Sequence, residues 1–381
     1  MDFAFTADQE ALRERVAAFA AERVAPGYQE RDRLGEMSDE LLADLAKAGL
    51  LGLRVPDAYG GLGRDAVGTG AALEELAKAD FNACYPVLNA ALIGDILAGN
   101  SDERQLKRWL PGIADGSSIV ALCLTEPEHG TDAAGIGMRA EPTGSGWRLY
   151  GVKSSIMLAR YATHGLVFAR TGGPGARGVT AFYTPLDDRY VTRTGSSDVG
   201  NRSAGRGELV FDGLPVGTGD VVSGEGLGFV QVMRGFDYSR ALISLMCIGA
   251  ASVSLDEALG YARRRQAFGT PIGRFQGLSF PLVEHATFLH AARLLAYEAL
   301  WQKDAGLDNR VAANMAKWWA PRAAFDACHQ ALLTFGQHGW SDSGPLGQRM
   351  RDVMGLEIGD GTAQVAKLVV ARLLLGREYA P

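Results

Sequence analysis

Cysteine is scarce in this 381-residue chain, with four residues at positions 84, 123, 247 and 328. None of them forms a C-x-x-C pair, which argues against a structural zinc site or a disulfide framework. Positive charge is also in deficit. Lys and Arg together number 38 against 44 Asp and Glu, a net charge of −6, so a non-specific grip on nucleic acid is disfavoured. No uninterrupted apolar run reaches the roughly 18 residues that a membrane span needs. The N-terminal stretch MDFAFTADQEALRERVAAF is charged and amphipathic and has no signal-peptide apolar core. The expectation is a cytoplasmic protein with neither a membrane nor a nucleic-acid partner.

Of the chain, 47% is hydrophobic and 22% charged, the balance of a globular protein with a sizeable core. Up to about residue 116 the apolar residues recur at helical spacing, as at Leu12, Val16, Phe19 and Ala20, then Leu41, Leu42, Leu45 and Ala48. Ser101, followed by Asp102 and Glu103, reads as a helix N-cap. Between residues 118 and 224 the texture changes to short alternating runs such as W-R-L-Y-G-V and V-T-A-F-Y, punctuated by Gly, Pro, Asp and Ser. That is the pattern of an antiparallel β domain. From Gly228 the helical period returns, with four helices broken near 269–277, 306, 336–347 and 359–361. The fold class read from this order is α + β. It has an N-terminal α-helical domain (1–117), a middle antiparallel β domain (118–225) and a C-terminal four-helix bundle (226–381) whose wide apolar faces suit packing against copies of itself.

Several motif matches carry no chemistry. Gly135-Ile-Gly-Met-Arg-Ala fits G-x-G-x-x-A but neither follows a strand nor opens a helix. His285 and His290 are five apart, the wrong spacing for two ligands on one helix face, and no acid completes a metal set. No G-x-S-x-G elbow is present. Two stretches are less easily dismissed. Arg263-Arg264-Arg265 precedes Phe268-Gly269, where a helix is expected to end, and a guanidinium at a helix end suits a phosphate. The loop Leu124-Thr125-Glu126-Pro127-Glu128-His129-Gly130-Thr131-Asp132 is rich in hydroxyl and backbone donors.

In their order and spacing these stretches resemble the acyl-CoA dehydrogenase family of flavoproteins over essentially the whole chain. The W-L-P pattern falls at Trp109-Leu110-Pro111, the (C/A)-x-T-E-P-x-x-G-S-D loop at 123–132 with Thr131 for Ser, and G-x-K at Gly151-Val152-Lys153. R-x-x-F-G spans Arg265 to Gly269, (H/F)-Q is Phe275-Gln276, and Phe335-Gly-Gln-His-Gly339 resembles the family's F-G-G-x-G. The family's E-G-T-x-Q is Asp360-Gly361-Thr362-Ala363-Gln364. The resemblance implies FAD as cofactor, held by Leu122, Leu124, Thr125, Gly130, Thr131, Ser155 and Met157 of the β domain. Arg265, Phe268, Phe275, Gln276, Leu333, Gly336, Gln337, Thr362 and Gln364 follow from the helical domain, some of them reaching a neighbouring subunit's FAD. Thr131, Asp237, Arg240 and Gly361 are implied in holding the substrate. No metal is implied.

The same resemblance places Asp360 as the catalytic base that takes the thioester's α-proton while a hydride leaves Cβ. Asp stands where the family has Glu, one methylene longer. The family's W-I-(T/S) flavin wall becomes Ser155-Ile156-Met157, and the position where some relatives carry their base is Ser239. The implied activity is FAD-dependent α,β-dehydrogenation of an acyl thioester bound to CoA or to an acyl carrier protein. An electron-transfer flavoprotein or oxygen would be the acceptor, and the assembly a homotetramer or dimer. Two alternatives are a short hydroxylated or polar acyl-carrier-protein intermediate of a biosynthetic pathway, and a flavin monooxygenase on the same fold.

Overall fold

The computed structural model describes residues 3–379, so the outermost ends of the first and last expected domains (1–2 and 380–381) lie outside the described residues. The N-terminal domain contains α1 (Ala7–Phe19), α2 (Tyr28–Leu34), α3 (Asp39–Lys47), α4 (Ala66–Ala79), α5 (Cys84–Asn100) and α6 (Glu103–Asp115). The cap of α6 lies one residue beyond the expected Ser101. The Asp102 carboxylate accepts the Gln105 N–H at 2.8 Å, and the Gln105 side chain accepts from Asp102 N at 3.1 Å. A carboxylate at the positive end of the helix dipole outcompetes the hydroxyl.

The middle domain holds β1 (Val120–Cys123), β2 (Arg139–Thr143), β3 (Gly146–Ile156), β4 (His164–Arg170), β5 (Val179–Pro185), β6 (Val191–Gly195) and β7 (Gly207–Gly217). Most ladders are antiparallel, but β1 and the start of β2 pair parallel with β4. These two short segments follow one another along the same edge of β4, so the wholly antiparallel sheet read from the sequence becomes a mixed one. On β4, Leu166 and Phe168 face the helices while Val167 and Ala169 face the domain's own interior. Burial on both faces explains why its sequence, LVFA, is apolar without alternation.

The C-terminal domain begins with α7 (Gly228–Arg264), then a small hairpin of β8 (Gln266–Ala267) and β9 (Thr270–Pro271). It continues with α8 (Gln276–Asp304), α9 (Arg310–Phe335), α10 (Gln337–Trp340), α11 (Leu346–Met354) and α12 (Ala363–Leu374). Part of α7 is long and apolar enough to cross a membrane, although polar residues interrupt it, and most of that part is buried inside the protein. Its length, about 55 Å at 1.5 Å per residue, serves as the core axis against which α4, α5, α8 and α9 pack. Gly249 makes one of these approaches possible, because a Cβ there would lie 2.4 Å from the Glu74 carbonyl of α4.

One carboxylate ties the three domains together. Asp352 on α11 accepts from Tyr28 Oη (2.9 Å) and Asn82 Nδ2 (3.2 Å) of the first domain, and from Asn201 N of the β domain (2.6 Å). Burial, only partly offset by these bonds, pushes its carboxyl from 3.8 up to about 7. Between about pH 4 and pH 7 the native state therefore holds a proton that the unfolded chain has released. The contribution of this group makes stability fall as pH rises through that window. Asp352→Asn should remove this share of the decline, because an amide does not titrate in this window, and its nitrogen can donate to Asn82 Oδ1, which has no partner, once that amide flips. Thermal unfolding midpoints at pH 5 and pH 8 measure it. Asp352→Ala should lower the midpoint at both pH values, since each buried donor left unpaired costs about 1–3 kcal/mol.

Candidate active site

The loop from Gly355 to Thr362 is anchored near its start by the buried Leu356, and the rest of its shape is set from outside. The loop starts as a 3-10 turn (Gly355–Glu357) and ends where Thr362 caps α12, its hydroxyl accepting from Val365 N at 3.4 Å. Between them Asp360 and Gly361 both take left-handed backbone angles, φ 55° and 96°. An Asp tolerates this conformation better than most residues, and a left-handed non-glycine residue persists where its surroundings hold it. The buried Lys317 of α9 donates to the carbonyls of Leu356 and Gly361, both at 2.8 Å, so one ammonium fastens two parts of the loop. Burial pushes that ammonium down to about 8, against the opposing pull of the Asp360 charge.

From the other side α7 contributes two contacts. Ser239 Oγ donates to Asp360 Oδ2 at 2.7 Å, and Arg240 Nε donates to the Asp360 carbonyl at 3.3 Å. Arg240 also donates from Nη1 to Asp237 Oδ1 (3.1 Å), which Asn314 Nδ2 reaches as well (3.3 Å). Burial raises the Asp237 carboxyl above its ordinary value. Asp237 and Arg240 are thus brought beside Asp360 but are paired with each other. Glu357, the second acid of the loop, lies in the field of Lys317 and Arg322 rather than with Ser239.

The β-domain rim is assembled by a buried ion pair whose two residues lie inside the T-E-P and G-x-K motifs, although the motifs do not signal the pairing. Lys153 Nζ, fully buried, meets Glu126 Oε1 at 2.8 Å and also donates to the Leu124 carbonyl at 2.8 Å. The Glu126 carboxylate accepts Gly137 N and Met138 N at 2.6 and 2.9 Å, and Ser154 N donates to the Thr125 carbonyl at 2.9 Å. Burial pushes Lys153 down to about 8, with Glu126 opposing. Leu122 is half-buried and Leu124 buried, while Gly130 and Thr131 stand exposed at the rim. Ser155 adopts φ 57° and accepts from Arg206 Nη1 at 2.9 Å, with Arg206 also paired to Asp198. A guanidinium therefore sits beside the position of the missing indole. Met157 is half-buried against the main core.

A second group lies on the bundle. The helix α7 ends at Arg264, four residues before the expected stop, because Phe268 (φ 53°) and Gly269 (φ 74°) form the turn of the β8–β9 hairpin. Such a turn needs positive φ at both residues. Arg265 follows the helix directly, and Tyr261 one turn earlier stacks on Phe335 at 4.3 Å, which brings the 333–337 strip to the same end of α7. Phe268 is 97% exposed, Leu333 is 55% exposed, and Phe275 packs edge-on to Phe268 at 6.2 Å. Thr270 Oγ1 in this hairpin is buried without a partner. Gln276, at the start of α8, and Gln364, on α12, are exposed. A cofactor carrying a hydrogen-bonding heterocycle and a diphosphate fits this donor set, with backbone groups and hydroxyls on the rim and guanidinium, hydroxyl and helix start on the bundle.

A helical domain, a mostly antiparallel β domain and a helical bundle with a carboxylate loop at their junction define a three-domain flavoprotein dehydrogenase. Comparison with known proteins agrees. The family models described as acyl-CoA dehydrogenase N-terminal, middle and C-terminal domain match residues 6–117, 121–214 and 226–375. A probable acyl-CoA dehydrogenase, YngJ, of Bacillus subtilis is 32% identical over 379 residues, covering 98% of this chain and all of that protein. The solved butyryl-CoA dehydrogenase of Megasphaera elsdenii is 31% identical with a TM-score of 0.96, covering 98% of this chain and 100% of that one. A chain solved in work on the electron transferring flavoprotein of Acidaminococcus fermentans is 32% identical, with TM-score 0.96 and 98% and 100% coverage. The chain belongs to the acyl-CoA dehydrogenase family. It is an FAD-dependent oxidoreductase acting on the CH–CH group of acyl thioesters.

Lys317, a lone cation on an otherwise small-residue face of α9, was not among the candidates. Its isolation among alanines is the signal the sequence offered. Lys317→Met removes both carbonyl contacts and lets the Asp360 loop drift. Displacing a catalytic group by about 1 Å costs roughly 100-fold. Anaerobic flavin reduction in Lys317→Met should therefore slow about 10- to 100-fold, with bound FAD, counted by absorbance, little changed.

Proposed function

We propose that Asp360 is the base that removes the α-proton of an acyl thioester, and that the chain catalyses its α,β-dehydrogenation. The observation that carries this reading is the Asp360 carboxylate itself, set on a left-handed loop and oriented by Ser239 between α7 and α9. Bound FAD supplies the acceptor for the hydride that leaves Cβ. The α-proton is weakly acidic, so the thioester carbonyl needs a donor as charge develops on it, and a backbone N–H at the Asp360–Gly361 turn is our candidate. Excluding water strengthens that contact.

In this reading Leu124, Thr125, Gly130, Thr131, Ser155 and Met157 line the flavin, and Thr362 and Gln364 hold it from beyond the base. Arg265, Phe268, Phe275, Gln276, Leu333, Gly336 and Gln337 reach the cofactor of a second copy. The exposed aromatic and aliphatic surface around Phe268 supports such an assembly. The acyl carrier is CoA, with electrons passed to an electron-transfer flavoprotein, in the cytoplasm. A monooxygenase reading is disfavoured by the oriented carboxylate at Asp360.

A second reading, an acyl group bearing a polar substituent, rests on one side chain. The Tyr85 hydroxyl on α5 is buried without a hydrogen-bond partner. Burial raises its ionisation well above the ordinary phenol value, with the charges of Asp352 and Asp360 adding to the effect. A buried unpaired hydroxyl near the base is a costly feature in a pocket for hydrocarbon and a useful one beside a substrate hydroxyl or amine.

The first test mixes the FAD-loaded protein anaerobically with short saturated acyl-CoA thioesters and follows the flavin's visible absorbance. Bleaching with formation of a 2-enoyl product is expected, and Asp360→Ala should abolish it while FAD stays bound. Bleaching that survives in Asp360→Ala removes this carboxylate from the mechanism. For the second reading, Tyr85→Phe should lower kcat/KM about 10-fold or more for a hydroxylated acyl thioester and leave or raise it for the hydrocarbon analogue. Equal effects on both substrates would discard it.

A further inference from the structure

We infer that Ser239 is a positioning residue for the base, and that Ser239 and Asp360 act as one unit in which the serine hydroxyl compensates for the short aspartate side chain. The inference rests on the reading of Asp360 as base. Ser239 lies on α7 and is fully buried, and its hydroxyl has two acceptors in reach: Asp360 Oδ2 at 2.7 Å and the Phe236 carbonyl at 3.4 Å. One proton cannot serve both, and the short bond to the carboxylate is the stronger. That bond occupies one carboxylate oxygen and leaves the other, Oδ1, for the α-proton.

The geometry explains how a shorter acid serves. The Asp360 backbone is held at φ 55°, and its carbonyl accepts from Arg240. Lys317 grips the next carbonyl, that of Gly361. With the backbone fixed, only the two side-chain torsions of Asp360 remain, and the Ser239 hydrogen bond sets them. A carboxylate with few torsions, each fixed, presents its free oxygen in one place and reaches the reactive arrangement without a further loss of entropy. The charged and titratable groups that reach Asp360 or feel its charge are Arg240 from α7, Lys317 from α9 and Tyr85 from α5. Among the described residues, Ser239 supplies the side-chain hydrogen bond to the carboxylate's oxygens.

The test compares Ser239→Ala and Ser239→Cys with the parent holoenzyme, all loaded with FAD. The limiting rate of flavin reduction by a saturated acyl-CoA should fall about 10- to 100-fold in Ser239→Ala. Ser239→Cys, whose thiol is a poorer donor, should fall between the two. Substrate affinity, read from the flavin spectral change on binding a non-reactive thioether analogue, should stay within about twofold of the parent. The kinetic isotope effect from α-deuterated substrate should grow in Ser239→Ala, because proton removal then limits the rate more strongly. A parental rate and isotope effect in Ser239→Ala, with Asp360→Ala inactive, would overturn the inference and leave the base assignment standing. Reduction that survives in Asp360→Ala would instead overturn the base assignment, and the inference with it.

Discussion

A carboxylate buried at a domain junction must find donors, and in this chain the search draws three domains to a single residue. Asp352 collects Tyr28, Asn82 and the Asn201 amide, so α11 is set against both preceding domains before the Asp360 loop begins a few residues later. The order matters for the site. The loop 355–362 leaves from the end of α11, and its far end caps α12, so fixing α11 fixes where the loop starts. Lys317 and Arg240 then fix its course. The course of the Asp360 loop is thus inherited from a polar contact outside it.

The helical and β segments were legible because their periods differ, and the breaks between the C-terminal helices fell where glycine and proline cluster. What the sequence concealed was geometry that depends on distant partners. The parallel edge of β1 and β2 on β4 is invisible from local alternation, since either strand direction shows the same pattern. The end of α7 at Arg264 was misplaced because a left-handed phenylalanine, Phe268, is an improbable turn residue, and glycine at 269 drew the boundary toward itself.

The candidate site divides along the same line. A motif carries Asp360, whereas Ser239 reads in the sequence only as a position without a carboxylate. Their contact bridges 121 residues of sequence, a separation across which spacing carries no information. Asp237 and Arg240 were grouped correctly in space, yet the structure pairs them with each other. The Ser155 position, read as a lost aromatic wall, instead has a guanidinium for a neighbour. In each case residue type was readable and residue company was not.

The Lys153–Glu126 pair carries a consequence for how this chain tolerates change. Its two charges lie in the interior of the β domain, where an ion left without its partner is far more costly than no ion at all. The same carboxylate also satisfies two backbone amides, and the same ammonium one carbonyl. Neither position is therefore free to drift alone. Passing from this arrangement to an apolar one requires altering both residues together, and the Leu124 carbonyl pinned by the same ammonium would lose its donor in the exchange.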